Sequence, residues 1–114
     1  MSRISTHVLD MAKGKPAAGV PVRLERQDSS GKWAPVGSAQ TDHDGRCSQL
    51  LPDGSTVVEG VYRLTFDTAN YFATCGVDGL YPAVEILFRV QKGETYFHLP
   101  LLLSSNGYTT YRGS

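Results

Sequence analysis

Three groups of side chains in this 114-residue chain have types suited to moving protons or holding charge on a small polar molecule: the imidazoles of His7 and His98, the guanidinium of Arg46, and the tail Tyr111-Arg112-Gly113-Ser114. A neutral imidazole near pH 7 can take a proton from water and return it to a leaving group. Both histidines fall inside apolar, strand-like segments, where each is either a hydrogen-bonded sheet residue or part of a site. Arg46 directly follows Asp44-Gly45, and there its forked donors serve either as a surface charge or as a clamp for a planar, anionic or carbonyl-rich group. The tail offers a phenol, a guanidinium, a flexible glycine and a hydroxyl beside a terminal carboxylate, where a chain end ordinarily frays. No Gly-x-Ser-x-Gly elbow surrounds Ser114, which makes it a hydrogen-bonding positioner and not a nucleophile. Tyr111 either packs against the sheet or faces a pocket.

Other polar residues have plainer readings. Asp42-His43-Asp44-Gly45 begins like a calcium loop but lacks the third acidic ligand and the closing Glu, so it reads as a turn with His43 in solvent. His7 and His98 have no third ligand at His-x-His or His-x-x-x-His spacing, and neither a metal nor another cofactor is expected. Cys47 and Cys75 form no C-x-x-C pair and read as thiols, Cys47 as a small packing residue beside Arg46.

The elements that must position these groups are short strands. Ile4, Thr6 and Val8 alternate with Ser5, His7 and Leu9, and Val20, Val22 and Leu24 alternate with Pro21, Arg23 and Glu25. Trp33 to Thr41 is a third strand, placed at an edge by Pro35 and Gly37. Arg46 to Leu51 is a fourth, closed by Pro52-Asp53-Gly54, and Val61 to Phe66 a fifth. Asp67 or Thr68 caps a short helix over residues 69–74, which Gly76 ends. Val84, Ile86, Phe88 and Val90 mark the sixth strand, Thr95 to Leu103 the seventh, and Tyr108 to Arg112 the eighth. Such spacing, with Gly- and Pro-containing turns, predicts an all-β two-sheet sandwich. By parity His7 and His98 project from the outer face of their sheet.

A length of 114 residues predicts a single domain over residues 1–114 with one core. Eleven basic and eleven acidic residues balance, with no basic stripe, which argues against nucleic acid as a partner. No stretch approaches the roughly 20 apolar residues of a membrane span, and the N-terminus opens without an apolar signal core. The expected location is therefore cytoplasmic.

The segments Ser5-Thr6-His7-Val8-Leu9-Asp10, Thr41 through Arg46, Tyr81-Pro82-Ala83-Val84, and His98 through Ser104 followed by Tyr108 to Ser114 resemble the 5-hydroxyisourate hydrolases, transthyretin-related enzymes of purine catabolism. The likeness runs essentially end to end. Its most specific part is the Tyr-Arg-Gly-Ser terminus, which separates the hydrolases from transthyretin itself.

The resemblance implies a transthyretin-like sandwich of two four-stranded sheets and one short helix, assembled as a homotetramer, a dimer of dimers, around a central channel that holds the active sites. It implies metal-free hydrolysis of 5-hydroxyisourate, with catalytic roles for His7, Arg46, His98 and Ser114, and with Tyr111 and Arg112 shaping the substrate pocket. Two positions depart from the family's pattern: Tyr96-Phe97-His98 stands where many members have His-Tyr-His, and Ala83 stands where an acidic residue often follows Tyr-Pro. Two other readings compete, a transthyretin-type carrier without catalysis and a structural sandwich module of the adhesion type. The first wants an apolar channel and the second has no use for the histidines.

Overall fold

The computed structural model describes residues 2–114. In chain order its elements are β1 (Arg3–Asp10), β2 (Lys15–Pro16), β3 (Pro21–Gln27), β4 (Trp33–Gln40), β5 (Arg46–Cys47), β6 (Gly60–Phe66), α1 (Thr68–Thr74), β7 (Val84–Val90), β8 (Tyr96–Ser104) and β9 (Gly107–Thr110). One sheet runs β4-β3-β6-β7, antiparallel throughout. The other runs β2-β1-β8-β9, with β5 also paired to β1. The four-stranded count implied for this second sheet is thus exceeded, because β5 and β2 divide one edge of β1 between them: β5 lies along Thr6 and His7, and β2 along Leu9 and Asp10.

The period-two pattern sorts each strand into an inner and an outer face. Ile4 and Val8 of β1, with Leu99, Leu101 and Leu103 of β8, meet Val22, Leu24, Leu64, Phe66 and Val84 of the facing sheet in one buried cluster. Each such side chain taken fully out of water stabilises the fold by about 1.5–3 kcal/mol. The interior also holds a carboxylate, Asp10, which accepts hydrogen bonds from the Tyr71 hydroxyl at 2.6 Å and from the backbone of Ala12 and Lys13. Those bonds offset its desolvation and tie the end of β1 to α1.

β4 lies at the edge of its sheet, as Pro35 and Gly37 require, and β7 spans the residues of the sixth expected strand. The fourth expected strand is much shorter than Arg46 to Leu51. Its ladder stops at Cys47 because the Gln49 side chain takes over: Gln49 Oε1 accepts the Ile4 N–H, and Gln49 Nε2 donates to the Ser2 carbonyl. The eighth expected strand ends at Thr110, short of Arg112, and the two-residue β2 lies in a stretch whose composition is that of a connection. The helix is capped by Asp67, whose carboxylate accepts from Asn70 N at 3.0 Å, whereas Thr68 is buried and donates to the Tyr81 carbonyl.

The turn before β5 is built from its own side chains. Asp42 Oδ1 accepts from the backbone N–H groups of Asp44 and Arg46, and Gly45, at φ 77°, donates to the Asp42 carbonyl. The Gly45 carbonyl in turn accepts from Val8 N at 2.7 Å, which staples the turn to β1. A Cβ at Gly45 would run into the Val8 carbonyl oxygen and would sit at a φ that side chains avoid. Gly45→Ala is expected to cost about 2 kcal/mol, in the range of other strained-backbone substitutions, measured by urea denaturation. An unchanged midpoint would mean that the turn does not need glycine.

Candidate active site

The register of β1 and β8 builds the site. These strands are parallel, with Ser5 opposite His98 and His7 opposite Pro100. On the other side of β1, Arg46 pairs with His7. Beyond β8, Gly113 bridges His98 antiparallel, its N–H donating to the His98 carbonyl at 2.7 Å. Two neighbouring rows therefore cross the outer face: Gly113, His98 and Ser5 in one, Pro100, His7 and Arg46 in the next. Strands ~4.8 Å apart rising ~3.3 Å per residue put the Cα atoms of His7 and His98 about 8 Å apart on the diagonal.

Along these rows lies a cleft of about 150 Å³. Ser5, Thr6, Ser48, Tyr96, His98 and Ser114 line it, and Arg3 and Arg46 bring positive charge to it. Larger clefts exist, including one of about 430 Å³ between Pro21, Ser38 and Asp67, but none of their linings includes a histidine. Chemistry and not volume singles out the smaller one.

His98 is partly buried, and its Nδ1 lies 2.8 Å from Ser5 Oγ. Burial holds its pKa below the ordinary imidazole value of 6.5, and the positive charges of His7 and Arg46 push it in the same direction. The neutral, proton-accepting form is therefore favoured near pH 7. His7 sits beside the cleft with Nε2 2.9 Å from the Asp44 carbonyl. A carbonyl only accepts, so Nε2 carries the hydrogen, and neutral His7 keeps its lone pair on Nδ1. Cys47 is buried, and burial first, then the charge of Asp42, pushes its thiol up to about 11. A thiol so held stays protonated and serves as packing.

Of the residues singled out in the sequence, Arg46, His98 and Ser114 line the cleft, and His7 adjoins it. Tyr111 and Arg112 do not line it. Tyr111 is exposed, and the Arg112 guanidinium bonds Glu94 Oε2 and the Tyr96 carbonyl, each at 3.0 Å, and stacks 4.4 Å from the centre of the Phe97 ring. Arg112 thus pins the tail against β8. Ser5, Arg3 and Tyr96 have no marked chemistry in the sequence, yet parity carries a signal: Arg3 and Ser5 share the face of His7, and Tyr96 that of His98. The Asp42-His43-Asp44 turn brings its ligand atoms within 4.8 Å of one another, all on exposed residues, with Asp42 already engaged in holding the turn.

A β-sandwich that displays imidazole, guanidinium and hydroxyl groups together on the outside of one sheet is a scaffold for acid–base chemistry on a small polar molecule. The chain belongs to the HIUase/Transthyretin family, whose model matches residues 4–113. It is similar to the 5-hydroxyisourate hydrolase of Mus musculus, 45% identical over 114 residues that cover 99% of this chain and 96% of that one. The solved 5-hydroxyisourate hydrolase of Klebsiella pneumoniae superimposes with a TM-score of 0.86 at 36% identity, covering 100% of both chains. Transthyretin from Sparus aurata superimposes with a TM-score of 0.91 at 29% identity, covering 99% of this chain and 97% of that one. Backbone shape is shared by hydrolase and transthyretin alike, so the side chains of the cleft must separate the two.

Gly113 tests how tightly the tail fixes that cleft. A Cβ there would lie 2.8 Å from His98 Cδ2 and 3.4 Å from the His98 carbonyl. Gly113→Ala is expected to displace the ring or the tail, read as a shift of the His98 ring proton resonances, with melting temperature changed little. Unmoved resonances would show that the tail is not in contact with the imidazole.

Proposed function

We propose that this chain opens the ring of 5-hydroxyisourate by hydrolysis of a cyclic amide, giving 2-oxo-4-hydroxy-4-carboxy-5-ureidoimidazoline in the breakdown of urate. The observation that carries this reading is the convergence of a neutral imidazole, His98, a guanidinium, Arg46, and a hydroxyl, Ser114, on one cleft. The named hydrolase relatives supply the substrate.

In this reading the two imidazoles share the proton transfers. One takes a proton from water as the water oxygen bonds to the amide carbonyl carbon, and the carbonyl electron pair moves onto its oxygen. Arg46 faces that developing charge with fixed donors, which lowers the barrier because they need no reorganisation as the charge forms. Collapse of the tetrahedral species breaks the C–N bond, an imidazolium returns the proton to the departing nitrogen, and the water oxygen stays in the new carboxylate. Ser114 positions water or substrate, Tyr111, exposed outside this cleft, narrows the channel floor where a second copy meets it, and Arg112 acts from behind by holding the tail. No step calls for a metal or an organic cofactor.

We read the working assembly as a homotetramer, a dimer of dimers. Its support is the open cleft, smaller than the roughly 300–1,000 Å³ usual for small-molecule sites, on a face that a second copy would cover. Residues 1–114 act as one domain in this reading, in the cytoplasm, where the free thiols Cys47 and Cys75 would stay reduced. The balanced charge supports a small-molecule substrate over nucleic acid. No helix among the described residues is long and apolar enough to cross a membrane. A carrier would want an apolar channel, and Arg3, Arg46 and His98 at the cleft argue against that alternative.

The chain added to freshly made 5-hydroxyisourate should accelerate its ultraviolet decay well beyond the spontaneous rate, and His98→Ala should lower kcat by about 10²–10³-fold. Near-normal turnover by that variant would remove the site assignment. The pH profile carries a sign: protonation of His98 consumes the base, so kcat/KM should fall as pH drops through its lowered pKa, with the acid limb below 6.5. A limb above that value would contradict the environment described. Light scattering after size exclusion should give four copies, and a monomer active at assay concentration would exclude a shared site.

A further inference from the structure

Ser5 is buried on the outer face of β1, and its hydroxyl has two neighbours: the Phe97 carbonyl at 3.4 Å and His98 Nδ1 at 2.8 Å. We propose that Ser5 is a positioning residue that sets the tautomer of His98, placing the hydrogen on Nδ1 and leaving Nε2 as the base that takes the proton from water. The inference rests on the hydrolytic reading above and deepens it, because it assigns the base between the two histidines.

Hydrogen-bond donors count differently in the two tautomers. With hydrogen on Nδ1, that N–H donates to Ser5 Oγ while the Ser5 hydroxyl donates to the Phe97 carbonyl, and both donors are paired. With hydrogen on Nε2, the Ser5 hydroxyl must turn to Nδ1, and its own contact with the Phe97 carbonyl is lost. The first arrangement makes two hydrogen bonds from the same atoms and the second makes one. In a part-buried setting the difference favours the first, since an unmade bond there is costly.

Geometry supports the same assignment. Ser5 and Gly113 flank His98 on opposite sides of one row. The Nδ1 edge of the ring faces Ser5, while Cδ2, bonded to Nε2, lies toward Gly113, next to Ser114 of the cleft wall. The nitrogen without a hydrogen-bond partner among the described residues is therefore on the tail side. When Nε2 takes the proton, the imidazolium keeps its Nδ1–H bond to Ser5, now strengthened by charge. His7 is held through its own Nε2–H on Asp44, so it serves the leaving nitrogen only as an imidazolium, from Nδ1.

The test uses ring-nitrogen-labelled protein without substrate, in which the two-bond couplings between ring protons and nitrogens show which nitrogen of His98 bears hydrogen. The wild type should show hydrogen on Nδ1. Ser5→Ala should move the population toward Nε2–H and lower kcat by on the order of 10- to 100-fold at nearly unchanged KM, part of what positioned proton transfer supplies. Ser5→Thr, which keeps the hydroxyl, should restore both. Hydrogen on Nε2 in the wild type overturns the proposal even if Ser5→Ala fails to fold, as does an Ala variant with unchanged tautomer and kcat. If the chain leaves 5-hydroxyisourate untouched while the tautomer responds to Ser5 as described, the hydrolytic reading falls and the Ser5 control of His98 stands. If turnover occurs without the tautomer response, the hydrolytic reading stands and the Ser5 control of His98 falls.

Discussion

The parallel pairing of β1 with β8 is the constraint on which the rest of this structure depends. It runs in register from Arg3 opposite Tyr96 to Asp10 opposite Leu103, joining the two ends of the chain across more than ninety residues. A parallel pair cannot be closed by a tight turn, so the chain between must cross over before it returns. Here the crossover contains the whole facing sheet and the only helix among the described residues. The same register that lets Ile4, Val8, Leu99 and Leu101 reach the core puts Ser5 beside His98 on the other face. Packing on one side of this pair thereby fixes the geometry on the other. A slip of one residue would exchange the two faces and lose both at once.

Around that pair the site is assembled by two local devices. The Asp42 to Gly45 turn is braced by the Asp42 carboxylate and bonded to Val8, which delivers Arg46 opposite His7. The tail is braced by Arg112, whose links to Glu94, the Tyr96 carbonyl and the Phe97 ring hold the backbone while Gly113 closes against His98. Partial burial first, then the neighbouring His7 and Arg46, holds the His98 pKa below the ordinary imidazole value. Structure and titration are thus linked: the hydrogen bonds that place Arg46 and His7 beside His98 also bear on its protonation.

Departures from the expected elements have common causes. β5 ends early because the Gln49 amide satisfies the Ile4 N–H that a longer strand would have paired, and a side chain that imitates backbone leaves no trace in an apolar pattern. Arg112 points away from the cleft because Glu94, eighteen residues distant, competes for it, and composition cannot rank such partners. Ser5 is not legible as a site residue in the sequence, because a serine in a strand has no marked chemistry until its neighbour across the ladder is known.

The sequence by itself determined the sandwich, most of the strand bounds and the outward placement of His7 and His98, since period-two alternation and turn residues are local properties of the chain. The Tyr-Arg-Gly-Ser terminus and the other shared segments were likewise enough to point to the family. Only the tertiary structure decided which outward residues are neighbours. Ser5, His98 and Gly113 come from three remote segments, and a row across a sheet exists only once the register is set. The neutrality of His98 belongs there too, because burial and nearby cations are properties of a folded surface and not of a residue type.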